Sequence, residues 1–345
     1  MVSGGRTAFA PGRVNLIGEH TDYTGGRAFS VAAGLGTRAL FRPEQTSERV
    51  EVVSHLYGES ASLRRAPAGD GGQLATLLPA WARHAAGVVA AIRPSAGGVV
   101  ELTGDLPAGA GLGSSASFAL ALALALGFEG EPVELAKACQ RAEQLATGQE
   151  TGLLDQLSSA CGRPGQGMLL DFADLSVSYV AIPDGAEIVL VDSGERRVVA
   201  ETAYGERLAQ CRAAEAEIGP LRLASPGAEA AITDPLLARR VRHVIEENAR
   251  VDAFAGALSG GDLEGAGRLM DESHASLATH YEVSTPLLDE LVAFLRSQRG
   301  VLGARLTGAG FGGCAVALCR PGALVGKVSG RPHWRVEPSG GARLL

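Results

Sequence analysis

The chain has 345 residues, 46% hydrophobic and 20% charged, so it can bury a sizeable core and is not a disordered chain. At roughly 150 residues per domain, the length suggests two domains or lobes. Thirty-one basic against 38 acidic residues leave a net charge of −7, which argues against a nucleic-acid-binding surface. Only Lys137 and Lys327 are lysines, so a lysine-based phosphate site has two candidates. The five cysteines, Cys139, Cys161, Cys211, Cys314 and Cys319, are scattered and include no CxxC pair. That excludes a disulfide framework or zinc site and reads as the reduced thiols of a cytoplasmic protein. The longest apolar run, Ala116–Phe128, is too short to span a bilayer, and residues 1–13 carry no signal-peptide pattern, so no membrane role is expected.

In chain order, Val50–Ser54 reads as a strand and Gln73–Ile92 as a helix stopped by Arg93-Pro94. Val99–Thr103 is the next strand. A glycine-rich loop, residues 106–115, then runs into a helix over Ala116–Leu126, and Pro132–Thr147 is a helix with proline in its first turn. Met168–Asp171, Val177–Ala181 and Glu187–Asp192 read as strands. Helices follow over Glu201–Ile218, Pro235–Val251, Leu263–Ala278 and Pro286–Gln298, and strands return at Gly303–Thr307, Gly312–Leu318 and Arg335–Pro338. Strands and helices mix without regular alternation, which favours a two-lobed α+β protein over a doubly wound sheet. The lobes divide between about residues 160 and 190, placed here as 1–175 and 176–345.

Three polar or glycine-rich segments stand out. In Pro107-Ala-Gly-Ala-Gly-Leu-Gly-Ser-Ser-Ala116, Gly109, Gly111 and Gly113 let the backbone approach an anion, and Ser114 and Ser115 sit at the N-cap of the helix that follows. The N–H groups and dipole of that helix favour phosphate. The spacing is neither a Walker A loop nor G-x-G-x-x-G, and Gly322…Gly326-Lys327-Val328 also fails as a Walker A loop. Read alone, the segment is equally well a bare capping turn. Pro11–Tyr23 packs Arg13, Glu19, His20 and Asp22 into ten positions, as a solvated loop or a polyol-binding loop would. His20-x-Asp22 lacks the second histidine pair a metal site would call for. Asp155, after a glycine turn at Gly152, is an acid at the start of a helix with apolar neighbours. Thr307–Gly313 is a glycine-rich hairpin turn between two strands.

Together these segments resemble the galactokinases, within the GHMP superfamily of small-molecule kinases, over nearly the whole chain from Thr7. Pro11–Tyr23 is similar to the galactokinase signature, Pro107–Ala116 to the superfamily's ATP-phosphate loop, and Gly308–Gly313 to its C-terminal glycine motif. The resemblance implies a two-lobed GHMP kinase fold with the active site in the cleft. It also implies transfer of phosphate from ATP to the anomeric hydroxyl of α-D-galactose, giving galactose 1-phosphate and ADP. Asp155 is then the catalytic aspartate and Arg13 its partner. Glu19, His20, Asp22, Gly152 and Tyr204 are sugar contacts. Gly109, Gly111, Leu112, Gly113, Ser114, Ser115 and Ala116 form the ATP loop, and Ser115 and Glu143 ligate Mg²⁺. The expected partners are galactose and ATP, and the expected state is a monomer. Thr24 replaces a common Asn, and Gly-Leu-Gly-Ser-Ser is the general superfamily form of the loop. The alternatives are a kinase for a related sugar such as N-acetylgalactosamine or L-arabinose, or a non-catalytic sugar and ATP sensor. The presence of Arg13, Ser114, Ser115 and Asp155 argues against the sensor.

Overall fold

A computed structural model describes residues 5–65, 79–107, 111–196, 200–328 and 330–345. In chain order these form β1 (Arg6–Ile17), β2 (Arg27–Glu44), β3 (Arg49–Ser54), β4 (Glu59–Arg64), α1 (Ala80–Ile92) and β5 (Gly97–Gly104). Next come α2 (Ser114–Ala125), α3 (Pro132–Thr147), α4 (Leu154–Cys161), β6 (Gln166–Asp171), β7 (Ser176–Ala181) and β8 (Glu187–Asp192). The rest of the chain forms α5 (Ala200–Ile218), α6 (Pro235–Ser259), α7 (Leu263–Ser276), α8 (Pro286–Arg296), β9 (Val301–Thr307), β10 (Cys314–Cys319), β11 (His333–Val336) and β12 (Arg343–Leu344).

Two sheets organise the described residues. The larger has eight strands, ordered β12-β1-β2-β5-β3-β4, with β6 pairing β2 and β7 pairing β6. The smaller is β11-β8-β10-β9. The chain crosses from one to the other between Ala181 and Glu187, and its last strand returns to the larger sheet. Pairing in both sheets is antiparallel except between β3 and β5. That matches the mixed α+β reading of the sequence.

Helices α1 to α4 cover one face of the large sheet. Helix α2 is buried almost all round, and its repeated alanines let the sheet and the neighbouring helices approach closely. Helix α3 starts with Pro132 and ends on Gly148, whose left-handed φ of 70° lets its N–H reach Gln144 O. A second core joins the two sheets. Val14, Leu16, Ile17 and Phe29 pack there against Leu190, Val316, Val251 and Phe254, with the two phenylalanine rings edge to face at 5.2 Å. Burying side chains of this size contributes about 1.5–3 kcal/mol each, so the floor between the sheets is fixed.

The structure departs from the sequence expectations in definite places. The first half of Pro11–Tyr23 is not a solvated loop, because residues through Ile17 belong to β1 and are buried. β1 shows no alternation since both its faces are covered, and register shifts at Pro11/Arg13 and Asn15/Ile17 break its pattern further. The N-cap of α2 is Gly113, with φ 68°, and Ser114 and Ser115 are the first helical residues. The helix expected from Gln73 is described from Ala80; residues 73–78 of it lie outside the described residues. Helix α6 runs on to Ser259, and α7 ends at Ser276 in a π-turn, Leu277–Tyr281.

Candidate active site

A cavity of about 250 Å³ opens where the end of β1, the start of α4 and the β9–β10 turn meet. Its lining includes Arg13, Glu19, His20, Asp22, Gly152, Asp155, Tyr204 and Glu143. These residues span the chain from 13 to 204, so the fold rather than local sequence assembles them.

Arg13 leaves β1 and meets Asp155, in the first turn of α4, with Nε at 2.8 Å and Nη2 at 2.5 Å from Oδ1. Both contacts fall on one carboxylate oxygen. The second, Oδ2, lies 3.3 Å from where a Cβ on Gly113 would stand. Arg13 is 6% exposed in its side chain and Asp155 32%, so the carboxylate faces the open cavity and the guanidinium is held inside. Arg13 also ties the glycine loop to β1, since its N–H donates to Leu112 O at 2.8 Å and its Nη1 to Gly111 O.

The residues after β1 form the inner wall. Glu19 accepts from Gly308 N–H and lies 3.5 Å from Arg305, which is fully buried on β9. Burial pushes the Glu19 carboxyl up, while Arg305 and the Gly308 N–H pull it down. His20 adopts a left-handed φ of 63° and bonds Tyr23 Oη through Nδ1 and Ala309 O through Nε2. Burial and nearby cations push its pKa down to about 3. Asp22 sits so close to Gly152 that a Cβ there would fall 1.5 Å from Asp22 Oδ2. Burial raises the Asp22 carboxyl to about 6, and the Asp155 charge adds to the rise. Tyr204, on α5, closes the side and its Oη accepts from Gly152 N–H at 3.3 Å.

The residues expected to face phosphate lie next to this cavity. No side chain caps the start of α2. Ser114 is exposed at its first position, while Leu112 and Ala116 are buried, so only their backbones could meet a ligand. Ser115 Oγ stands 3.5 Å from Glu143 Oε1. Glu143 Oε2 also accepts from Gln156 at 2.7 Å and Thr151 at 3.3 Å. Gly109 lies outside the described residues. Burial, and then Asp155, raise the Glu143 carboxyl. A carboxylate kept dry beside another one, with a hydroxyl at hand, is a hard oxygen set that suits Mg²⁺ held jointly with phosphate oxygens and water. Among the described residues no group of three or more His, Cys, Asp or Glu could bind a metal unaided.

Comparison with known proteins decides the family. Residues 3–43 match the galactokinase galactose-binding signature, residues 82–163 the GHMP kinases N-terminal domain, and residues 251–330 the GHMP kinases C-terminal model. A protein named galactokinase from Mycobacterium tuberculosis is 39% identical over 325 residues, covering 90% of this chain and 87% of its own length. The chain belongs to the galactokinase family. A galactokinase from Exiguobacterium sibiricum is 38% identical, covering 90% of this chain and 83% of its own. The crystal structure of Lactococcus lactis galactokinase complexed with galactose superposes with a TM-score of 0.91 at 29% identity, covering 100% and 96% of the two chains. Methanococcus jannaschii mevalonate kinase, at 19% identity and a TM-score of 0.69, shares the fold. This galactokinase-family chain is therefore a sugar kinase with the two-domain GHMP architecture.

Several cavity-lining residues escaped the sequence reading: Gln149, Thr151, Gln156, Gly308 and Ala309. The last two belong to the Thr307–Gly313 segment, whose glycines were visible but whose reach to Glu19 and His20 was not. Arg305 is hidden in an apolar strand, and nothing local marks it as the partner of an acid 286 positions earlier.

Proposed function

We propose that this enzyme transfers the γ-phosphoryl group of ATP to the anomeric hydroxyl of α-D-galactose, releasing ADP and galactose 1-phosphate. The observation that carries the residue roles is the Arg13–Asp155 pair. It stands between an open cavity lined by Glu19, His20 and Asp22, of a size to suit one monosaccharide, and the uncapped start of α2.

Asp155 Oδ2 accepts the proton of the anomeric hydroxyl as that oxygen bonds to the γ-phosphorus and the bridging P–O bond to ADP breaks. Arg13 holds Oδ1, so the carboxylate has one oxygen to offer and one orientation. Carboxylates ionise near pH 4 and are weak bases, so most of the rate comes from position and charge stabilisation. The α2 N–H groups and dipole, with the glycine loop, take the phosphates. Ser115 and Glu143 would hold Mg²⁺, which would supply neutralisation of the phosphate charge. Glu19, His20, Asp22, Tyr204 and the Gly152 backbone take the sugar hydroxyls. Of the lobes expected at 1–175 and 176–345, β7 and β12 stay with the larger sheet, so the change of sheet falls between Ala181 and Glu187; the residues beyond it contribute Tyr204, Gly308 and Ala309 to the cavity.

The five cysteines are buried and form no disulfide, which suits a reducing, cytoplasmic setting, and we take the working unit to be a monomer. Among the described residues no helix is long and apolar enough to cross a membrane.

The test is an ATP-dependent phosphorylation panel with Mg²⁺ over galactose, glucose, N-acetylgalactosamine, L-arabinose and mannose, reading ADP and sugar phosphate together. Clear preference for galactose is expected. Preference for another sugar would keep the chemistry and overturn the substrate; binding without turnover of any sugar would favour a sensor.

A further inference from the structure

Behind the cavity wall lies a file of polar side chains, buried except for the half-buried Tyr23, that the phosphoryl-transfer chemistry does not use. His20 Nδ1 is 3.0 Å from Tyr23 Oη, Tyr23 Oη is 2.6 Å from Tyr281 Oη, and Tyr281 Oη is 3.2 Å from Cys211 Sγ. Tyr281 is fully buried at the end of the π-turn after α7, a helical irregularity of the kind that re-aims one side chain. At its other nitrogen, His20 Nε2 lies 3.1 Å from Ala309 O, in the glycine-rich turn.

The directions of these bonds follow from one end. A carbonyl oxygen only accepts, so His20 Nε2 carries a hydrogen. Burial, His243, Arg207 and Arg305 all oppose a positive ring, so His20 is neutral and Nδ1 has only a lone pair to offer. Tyr23 O–H must then donate to Nδ1. Its oxygen is left to accept from Tyr281 O–H, whose oxygen in turn accepts from Cys211 S–H. Burial keeps all three of these groups protonated: the Cys211 thiol is pushed up to about 11, and both phenols stand well above their ordinary value. His20 holds a left-handed backbone conformation that a non-glycine residue adopts at a cost, so the loop is built to keep the ring in place.

We propose that Tyr23 and Tyr281 are positioning residues for the sugar pocket, fixing His20 as the neutral Nε2–H tautomer so that it presents galactose with a donor and never an acceptor. This rests on the reading of the cavity as the sugar site. His20 and Ala309 both line it, so a hydroxyl that inserts into their 3.1 Å bond accepts from Nε2–H and donates to the Ala309 carbonyl. That pairing suits a hydroxyl, which can use both, better than a group that only accepts or only donates.

The test begins without sugar. In protein carrying ¹⁵N-labelled histidine, His20 is expected to show a protonated Nε2 and an unprotonated Nδ1 at neutral pH. An imidazolium, or a proton on Nδ1, would overturn the proposal whatever the enzyme phosphorylates. Tyr281→Phe keeps the ring and removes the hydroxyl. It should shift the Nδ1 resonance and raise the KM for galactose about threefold to tenfold, the effect of one hydrogen bond, with kcat and the KM for ATP little changed. An unmoved Nδ1 resonance together with an unmoved galactose KM would reduce Tyr281 to packing and sink the relay. Failure of the galactose assignment itself appears separately, in the sugar panel.

Discussion

The two ends of the cavity are built differently. On the sugar side, Glu19, His20 and Asp22 are tied down by the protein itself: Gly308 N–H holds Glu19, Ala309 and Tyr23 hold His20, and the Leu154 backbone holds Asp22 at 3.4 Å. Their ionisation is displaced by burial. On the proposed phosphate side Glu143 is held by Gln156 at 2.7 Å, but Ser115 stands 3.5 Å from it, Ser114 is exposed, and α2 has no side-chain cap. A neutral sugar differs from its isomers by the direction of a hydroxyl, so reading it needs fixed donors and acceptors. A triphosphate brings its own charge and can be held by dipoles and a cation. On the proposed roles, the sugar wall is made before its ligand arrives, and the phosphate wall is completed by it.

Breaking the junction between the two walls should have the largest effect. Asp155→Ala is expected to lower kcat by about 10²- to 10⁴-fold while calorimetry still records galactose binding. Turnover near that of the unmodified enzyme would remove Asp155 from the chemistry. A smaller loss, confined to the phosphate wall, is expected from Glu143→Gln. The Mg²⁺ needed for half-maximal rate should rise about tenfold to a hundredfold, with galactose affinity in the absence of nucleotide unchanged. An unaltered Mg²⁺ titration would move the metal elsewhere. Confined to the sugar wall, Gly152→Ala places a methyl 1.5 Å from Asp22 Oδ2 and must displace that carboxylate. Its KM for galactose should rise about tenfold, worth one good contact, with the KM for ATP nearly constant; equal rises in both would show that the two walls are not independent.

The same contrast explains what the sequence disclosed. The phosphate side was legible because its chemistry is local: glycines and serines followed at once by helix formers over Ala116–Leu126 mark an anion-binding helix start without any tertiary knowledge. Pro132–Thr147 and Glu187–Asp192 were legible to the residue, one bounded by proline and glycine, the other a run of β-branched residues. The sugar side was legible only as a dense set of polar residues and through a family resemblance. β1 was unreadable because burial on both faces erases the alternation that marks a strand, leaving Arg13 to look like a loop residue. The partners of Glu19 and His20, in Arg305, Gly308 and Ala309, come from the far end of the chain, and such pairings leave no local trace. The glycines at 308–313 gave a turn, and only the fold gave it something to hold.

Asp22 offers the finest separation of sugar recognition from chemistry, because its ionisation carries a sign that can be checked. Its folded carboxyl is raised to about 6, so it is protonated below that pH and ionised above it. If the ionised form accepts from a sugar hydroxyl, kcat/KM for galactose should fall about fourfold between pH 7.5 and 5.5, since that parameter reports the free enzyme. Asp22→Asn should remove this acidic limb. Stability runs the other way. A carboxyl that is harder to ionise in the folded state contributes most below its unfolded value of 3.8, and that contribution is lost as pH rises toward 6. Asp22→Asn should therefore stabilise the protein above pH 6, by about 1–3 kcal/mol, with the gain vanishing near pH 4. Denaturant melts at pH 7.5 and 4 measure this directly. A variant that loses galactose affinity while gaining stability at pH 7.5 would show that the sugar wall keeps an ion in an unfavourable place for the sake of recognition. Loss of both would mean that Asp22 chiefly braces the turn against Gly152 and Leu154.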